Sequence, residues 1–329
     1  MSRAATIYDI AREAETSTST VSRVLNGSAL VGDSVAARVR DAADRLDYQS
    51  RRIRRPRARA VLRVIVFLPH TARPQTHLFY DAATLFTGIQ HGFGDIRHHL
   101  IVSLSDSTDA MSAKKLGDID GCIFAFCAPS DDMREQLRSR GIPAVLVNRT
   151  DSEMSFVCND AAAGIQRLSR EIAAARPKSG VAFISVSDAG PVADYRVNAF
   201  HRVKDSLRGA GTSRSVRRFD TVTEITGSAL GDMYSGGVRV FMCLNDYVAI
   251  TVLDRLRQLG LSVPGEVAVT GYDNAPVRQL ISTEITTVDL SVADLGGAAA
   301  ALLGKQILDR SEGREALFVE GRFIRGQSL

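Results

Sequence analysis

No stretch of this chain approaches the ~18 consecutive apolar residues of a membrane-spanning helix. The opening residues MSRAATIYDI lack the apolar core of a secretory leader. A cytoplasmic protein with no membrane partner is therefore expected. Cysteine is scarce: Cys122, Cys127, Cys158 and Cys243 are the four in 329 residues, without metal-ligand spacing, and three of them sit in apolar runs. They read as reduced, buried thiols rather than as a disulfide framework or a zinc site. Signatures of catalysis are missing as well. There is no Walker loop, and Gly92-Phe93-Gly94 lacks the third glycine of a dinucleotide fingerprint. No nucleophile elbow suggests a Ser-His-Asp arrangement. His91, His98 and His99 share one stretch and read as solvated or core-edge residues. No catalytic residue, metal or cofactor is expected, and the chain is read as a non-enzyme.

What is present is an ordinary globular composition, 45% apolar and 24% charged, long enough for two or three domains. The net charge of +4 is unevenly spread. Residues 1–60 hold twelve arginines against seven acids, net +5, so residues 61–329 sum to −1. A small basic N-terminal piece on a near-neutral body suits a polyanionic partner.

That piece has helical order. Ile7, Ile10, Ala11 and Ala14 share one helix face, with Thr6 placed to cap and Asp9 in the first turn. Ser17 can cap a second helix whose inner stripe is Val21, Val24 and Leu25, and Asn26-Gly27 is a stop signal. Val35, Val39, Ala42 and Leu46 mark a third. Three short helices with a tight first turn make a helix-turn-helix unit. In such a unit the second helix lies in the major groove with its N-terminal residues at base edges. Here these are Ser17, Thr18, Ser19, Thr20, Ser22 and Arg23. Arginine can bind guanine O6 and N7 bidentately, worth about 1–3 kcal/mol of discrimination. A phosphate clamp is the other reading of Arg23.

Residues 6–48, and TVSRVLNG (Thr20–Gly27) above all, resemble the DNA-binding headpiece of the lactose-repressor (LacI/GalR-type) family. The resemblance implies that Thr18, Ser19 and Arg23 read bases, with Thr6 and Asn26 among the other DNA contacts. Glu15 stands where the family usually has glycine in the turn, and a left-handed Glu costs on the order of 1 kcal/mol.

Residues 49–59, QSRRIRRPRAR, carry six arginines. By resemblance this segment is the hinge that becomes helical on DNA and wedges a leucine into the minor groove. Arg57 occupies that leucine position, Arg54 a usual alanine and Pro56 a serine. Proline in a helix interior removes a backbone bond and clashes with the carbonyl four residues back. Two alternatives remain: Ile53 is the wedge, or Arg51, Arg52, Arg54, Arg55 and Arg57 enter a narrow minor groove without one.

From Val61 onward, short β-branched runs alternate with helical patterns. The runs are Val61–Leu68, Leu100–Leu104, Gly121–Phe126, Ala144–Val147, Gly180–Val186, Val238–Leu244 and Val267–Thr270. Helices are expected at about 131–141, 195–209 and 246–260. This alternation means an α/β fold with parallel sheets, whose ligands bind beyond the strands' carboxyl ends. Polar residues at those ends are Asn159-Asp160, Arg196, Asn245-Asp246 and Gly271-Tyr272-Asp273-Asn274. Asp160 and Asp246 could equally cap the helices that follow.

VNRTDSEMSFVCNDAAAG, LNDYVAI, VAVTGYDN, SVADLGGAAAALL and GRFIRGQS resemble the same family's effector domain, which is itself similar to periplasmic sugar-binding proteins. The resemblance implies a headpiece over 1–48, a hinge over 49–60 and a two-subdomain effector body over 61–329. The N subdomain would take about 61–160 plus 290–318, the C subdomain about 161–289 plus 319–329, linked by three crossovers. Arg196, Asn245, Asp273 and Asp160 match the family's polar effector contacts. Phe219 lies near the position of a ligand-stacking aromatic, and Phe79 and Tyr80 are candidates for the opposite wall. The implied function is a ligand-responsive transcription regulator, a repressor associated with the nucleoid. Its partners would be a near-palindromic double-stranded operator, a second copy of the chain, and a small effector, a sugar in preference to a purine. A cytosolic solute-binding or sugar-active α/β protein without operator function is the alternative, which a headpiece argues against.

Overall fold

The computed structural model describes residues 6–25, 31–46, 61–69, 80–104, 118–204, 214–309 and 313–329. Two compact units emerge, Met1–Ala58 and Arg59–Leu329.

Three helices build the first unit: α1 (Ile7–Glu13), α2 (Thr18–Leu25) and α3 (Asp33–Arg45). Thr6 starts α1 with a reciprocal capping box: its Oγ1 accepts from the Asp9 amide, and its own amide donates to the Asp9 carboxylate at 2.8 Å. Ser17 starts α2, its Oγ accepting from the Thr20 amide at 3.1 Å. Ile10, Ala14, Val21, Val24, Val39 and Ala42 close the core. On α3 the buried stripe is Ala36, Val39, Ala42 and Ala43, with Val35 and Leu46 only partly covered at its margins. The turn before α2 keeps the left-handed conformation despite its departure from glycine, with Glu15 at φ 49°. Asn26 and residues 47–60, hence Arg51, Arg52, Ile53, Arg54, Arg55, Pro56 and Arg57, lie outside the described residues.

The second unit holds two parallel sheets. One comprises β1 (Leu62–Leu68), β2 (His98–Leu104), β3 (Gly121–Ala125), β4 (Ala144–Val147), β5 (Ser155–Asn159) and β11 (Ala316–Val319), in the order β11-β5-β4-β3-β1-β2. The other comprises β6 (Gly180–Val186), β7 (Arg214–Phe219), β8 (Val238–Cys243) and β9 (Ala268–Thr270), in the order β7-β6-β8-β9. Helices cover both: α4 (Ala82–Phe93), α5 (Asp131–Ser139) and α10 (Val292–Asp309) on the first; α6 (Ala161–Ala175), α7 (Pro191–Val203), α8 (Gly227–Ser235) and α9 (Asp246–Gln258) on the second. β10 (Thr287–Val288) and β12 (Phe323–Ile324) pair antiparallel beside them. The chain passes between the halves three times: after β5, between β10 and α10, and after β11.

The central strands β3, β5 and β6 are buried along their whole length, which is why each reads as an unbroken apolar run. β7, RSVRRF, escapes that signal because it is an edge strand, half exposed and studded with arginine. α7 begins at Pro191, four residues before the expected Tyr195, because proline at the first helical position costs no hydrogen bond. Gly92, part of the incomplete dinucleotide pattern, is there for packing. A Cβ at Gly88 or Gly92 of α4 would stand 2.0 Å from a carbonyl of α10. Among the described residues no helix is long and apolar enough to cross a membrane, and no cluster of His, Cys, Asp and Glu is set to hold a metal.

Candidate functional site

Two places collect the residues singled out by sequence. On α2, Val21 and Val24 are buried while Ser19 and Arg23 are exposed and Thr18 and Thr20 half-exposed. The helix therefore offers a polar face led by hydroxyls. Ser17, Ser19 and Thr20 are tied together, Ser17 Oγ lying 2.7 Å from Ser19 Oγ and 2.9 Å from Thr20 Oγ1. Ser22 belongs to the same helix; its side chain is outside the described ones. The Thr6 hydroxyl is engaged by Asp9 at 2.6 Å.

The second place lies between the carboxyl ends of the two sheets. From the second sheet's side, Arg196 on α7 is buried, with 3% of its side chain exposed, and donates to the Leu244 carbonyl at 2.8 Å and to the Asp273 carboxylate. Its guanidinium stands 4.0 Å over the Tyr272 ring. Burial alone would lower the Arg196 pKa, but the Asp273 charge and hydrogen bond outweigh it and the group stays firmly cationic. Asp273 holds this position with φ 98°, followed by Asn274 at φ 53°, two consecutive non-glycine residues in a disfavoured region. Such strain persists only where surrounding contacts enforce it. The Tyr272 hydroxyl donates 2.7 Å across to Asn159 Oδ1 at the end of β5, joining the two halves.

The doublets at the strand ends divide their work. Asn245 caps α9, Oδ1 accepting from the Val248 amide at 2.9 Å, and Asp160 caps α6, Oδ1 accepting from the Ala163 amide at 3.0 Å. Asp246 is no cap. It is fully buried and accepts from Thr287 Oγ1 and the Ala275 amide, each at 2.7 Å. Burial pushes its carboxyl up to about 7, against the pull of those two donors, with Asp273 adding to the rise. Phe219 is 8% exposed at the end of β7, packed into the core of its half with the Arg217 guanidinium 5.4 Å over its ring. Tyr80 stacks on Phe126 at 4.0 Å and 26°. Phe79 lies outside the described residues.

On the first sheet's side, where the sequence points to Asp160, Phe79 and Tyr80, it does not single out Arg149. Arg149, one residue past the left-handed Asn148 that ends β4, is half-buried and donates to the Asn148 carbonyl at 2.8 Å. The groups that act on it most strongly are Cys127, Cys158, Arg196 and Tyr80. Arg149 thus stands just past the carboxyl end of β4, as Arg196, bonded to the Leu244 carbonyl, stands at the carboxyl end of β8. Burial lowers the Arg149 pKa first, and the Arg196 charge adds to that. The rule that picked out Asn245 and Asp273, a polar residue just past an apolar run, fits Arg149 in AVLVNR equally well. Tyr272 and Asn159 carried a weaker signal, since their value lies in a contact spanning 113 positions.

Comparison with known proteins fits both places. Residues 6–50 match the model for bacterial regulatory proteins of the lacI family, and residues 181–329 match a periplasmic binding protein-like domain. The chain thus joins a lacI-type regulatory-protein domain to a periplasmic-binding-protein-like domain, and transcription regulators are what it is similar to. Catabolite control protein A of Staphylococcus epidermidis is 24% identical over 322 residues, spanning 92% of this chain and 93% of that protein. Among solved structures, a complex of the transcriptional regulator CelR with cellobiose covers 98% of this chain and 99% of that one, with 21% identity and a TM-score of 0.65. The lac repressor dimer bound to operator and the anti-inducer ONPF covers 99% of both chains, with 16% identity and a TM-score of 0.62. The chain is thus an α/β protein of periplasmic-binding-protein type that follows, in sequence, a helix-turn-helix headpiece.

Proposed function

We propose that this regulator is a sugar-responsive repressor without catalytic activity, working in the cytoplasm on a near-palindromic operator as a homodimer. The observation that carries the reading is the convergence of Arg196, Asp273 and Tyr272 with Asn159 and Arg149 between two sheets, in a chain that also bears an exposed arginine on a headpiece helix. An effector held there by Arg196, Asp273, Asn245 and Asp160 would favour one closure state over another, and only that difference in affinity shifts the equilibrium. The complexed relatives, one with cellobiose and one with operator as a dimer, support the ligand class and the assembly. Support for a second copy also comes from β2, where Ile101, Val102 and Leu104 are exposed on a strand whose outer edge has no partner among the described residues. On α2, Thr18, Ser19 and Arg23 would face base edges, with Thr6, Ser17, Thr20, Ser22 and Asn26 around them and the arginines of 51–57 on the backbone or in the minor groove.

The test is operator selection from random DNA, followed by binding with and without a panel of sugars. Arg23→Ala should weaken selected DNA about ten-fold or more while leaving random-sequence binding and its salt slope near wild type. An equal loss on both DNAs would overturn base reading and assign Arg23 to phosphate.

A further inference from the structure

The two arginines of the cleft are treated differently. Arg196 has a full set of partners in Asp273, the Leu244 carbonyl and the Tyr272 ring. Among the described residues Arg149 has one bond, to its neighbour's carbonyl, and no carboxylate partner. Around it stand the thiols of Cys127 and Cys158 and the phenol of Tyr80, groups that burial keeps neutral, with pKa values pushed up to about 11, 11 and 12. The residue before it is Asn148, not an acid. Of the carboxylates in this region, Asp273 is committed to Arg196, Asp246 to Thr287 and Ala275, and Asp160 to the start of α6. A half-buried guanidinium with five donors and one acceptor among the described residues, lowered in pKa by burial first and by the Arg196 charge as well, is a poor stability choice. It is a good one for capturing an oxyanion, because its planar fork matches carboxylate and phosphate geometry.

We infer that the effector of this regulator is an anion: a small sugar-like molecule bearing a carboxylate or phosphate that pairs with Arg149, while its hydroxyls meet the Arg196–Asp273 side. The inference rests on the reading of this cleft as the effector site and narrows the ligand from sugars in general to acidic ones. The anion would supply the charge that the protein leaves out and relieve the repulsion between the two guanidinium groups.

Calorimetry on the full chain tests this with glucose, glucuronate, glucose 6-phosphate and their pentose counterparts, and with inorganic phosphate alone. Glucuronate separates a carboxylate requirement from the phosphate requirement read by glucose 6-phosphate. At least one acidic sugar should bind ten-fold or more tightly than its neutral parent, and Arg149→Gln should shrink that preference to less than three-fold. The ligand-free Arg149→Gln variant should melt at or above the wild-type temperature, since it removes an unpaired charge. Neutral sugars binding as tightly as acidic ones would overturn the anion assignment and leave the effector cleft standing. Binding of no sugar, neutral or acidic, would overturn both. Binding of inorganic phosphate as tightly as any acidic sugar would overturn the sugar-like part. A clear drop in the melting temperature of ligand-free Arg149→Gln would make Arg149 a structural residue and end the proposal.

Discussion

The two walls of the cleft solve the same electrostatic problem in opposite ways. The wall built on β6–β9 and α7 carries a buried cation and neutralises it internally, with Asp273 and Tyr272 around Arg196. The wall built on β1–β5 carries Arg149 with a carbonyl and neutral thiols for company. Removing one member of a buried ion pair strands the other. Removing a cation that has no counter-charge strands nothing. The same residue type, carried by a helix against one sheet and by the loop past a strand of the other, can be part of the scaffold on one side and an open site for charge on the other.

The largest expected effect is on the self-satisfied wall. Arg196→Ala should cost about 3–5 kcal/mol, because Asp273 is left buried and uncompensated and Tyr272 loses its cation. Strand-end position alone suggests a ligand contact that can be cut back with the fold intact; the 3% exposure of the Arg196 side chain makes it a structural member too. Denaturant melts of Arg196→Ala beside Arg149→Ala check the comparison. Equal losses in the two variants would erase the distinction between the walls.

Arg196 marks how far the sequence could be read. Fold class, the parallel strands and the headpiece were legible because buried strands and amphipathic helices write their periodicity into consecutive residues. Glu15 was legible as a departure from glycine, and the structure keeps it left-handed at φ 49°. What stayed hidden depends on partners far apart in the chain. Nothing local distinguishes Asp246, which accepts from Thr287 and Ala275, from Asn245, which merely caps a helix. The pairing of Tyr272 with Asn159, and the lack of an acid bonded to Arg149 among the described residues, are properties of the assembled cleft. β7 was hidden because an edge strand does not need an apolar run.

A second, smaller effect concerns Asp246, beneath the compensated wall. Its carboxyl is raised to about 7 in the fold, by burial first and by Asp273, against the hydrogen bonds of Thr287 and Ala275 and the charge of Arg278. A folded-state pKa above the unfolded one means that the folded protein binds the proton more tightly. The resulting stabilisation is full below about pH 4 and is lost as pH rises through about 7. One proton gives at most ~1.4 kcal/mol per pH unit, so stability should fall by roughly 2–3 kcal/mol between pH 5 and pH 7.5. Asp246→Asn should flatten this slope, its Oδ1 accepting from the Ala275 amide and its Nδ2 donating to Thr287. Urea melts across that range decide it; an unchanged slope in the variant would place the titration on some other group.

The gentlest probe reads the uncompensated wall through its thiols. Cys127 and Cys158 are both held up to about 11 by burial, with Arg149 pulling each back down. Alkylation needs the thiolate, and two units above an ordinary cysteine leave about a hundred-fold less of it near pH 8. Native protein treated with iodoacetamide should therefore label at Cys127 far more slowly than the same protein in urea, and Cys158, more deeply buried, more slowly still. Arg149→Gln should slow Cys127 further, because it removes a charge that favours the thiolate. An acidic effector paired with Arg149 should act in the same direction, by cancelling that charge and covering the wall. Quantitative mass spectrometry of the two peptides over time provides the measurement. Rapid native labelling of Cys127, indifferent to Arg149→Gln, would mean that the thiol and the guanidinium do not share an enclosed space, and the contrast between the walls would reduce to a difference in solvent access.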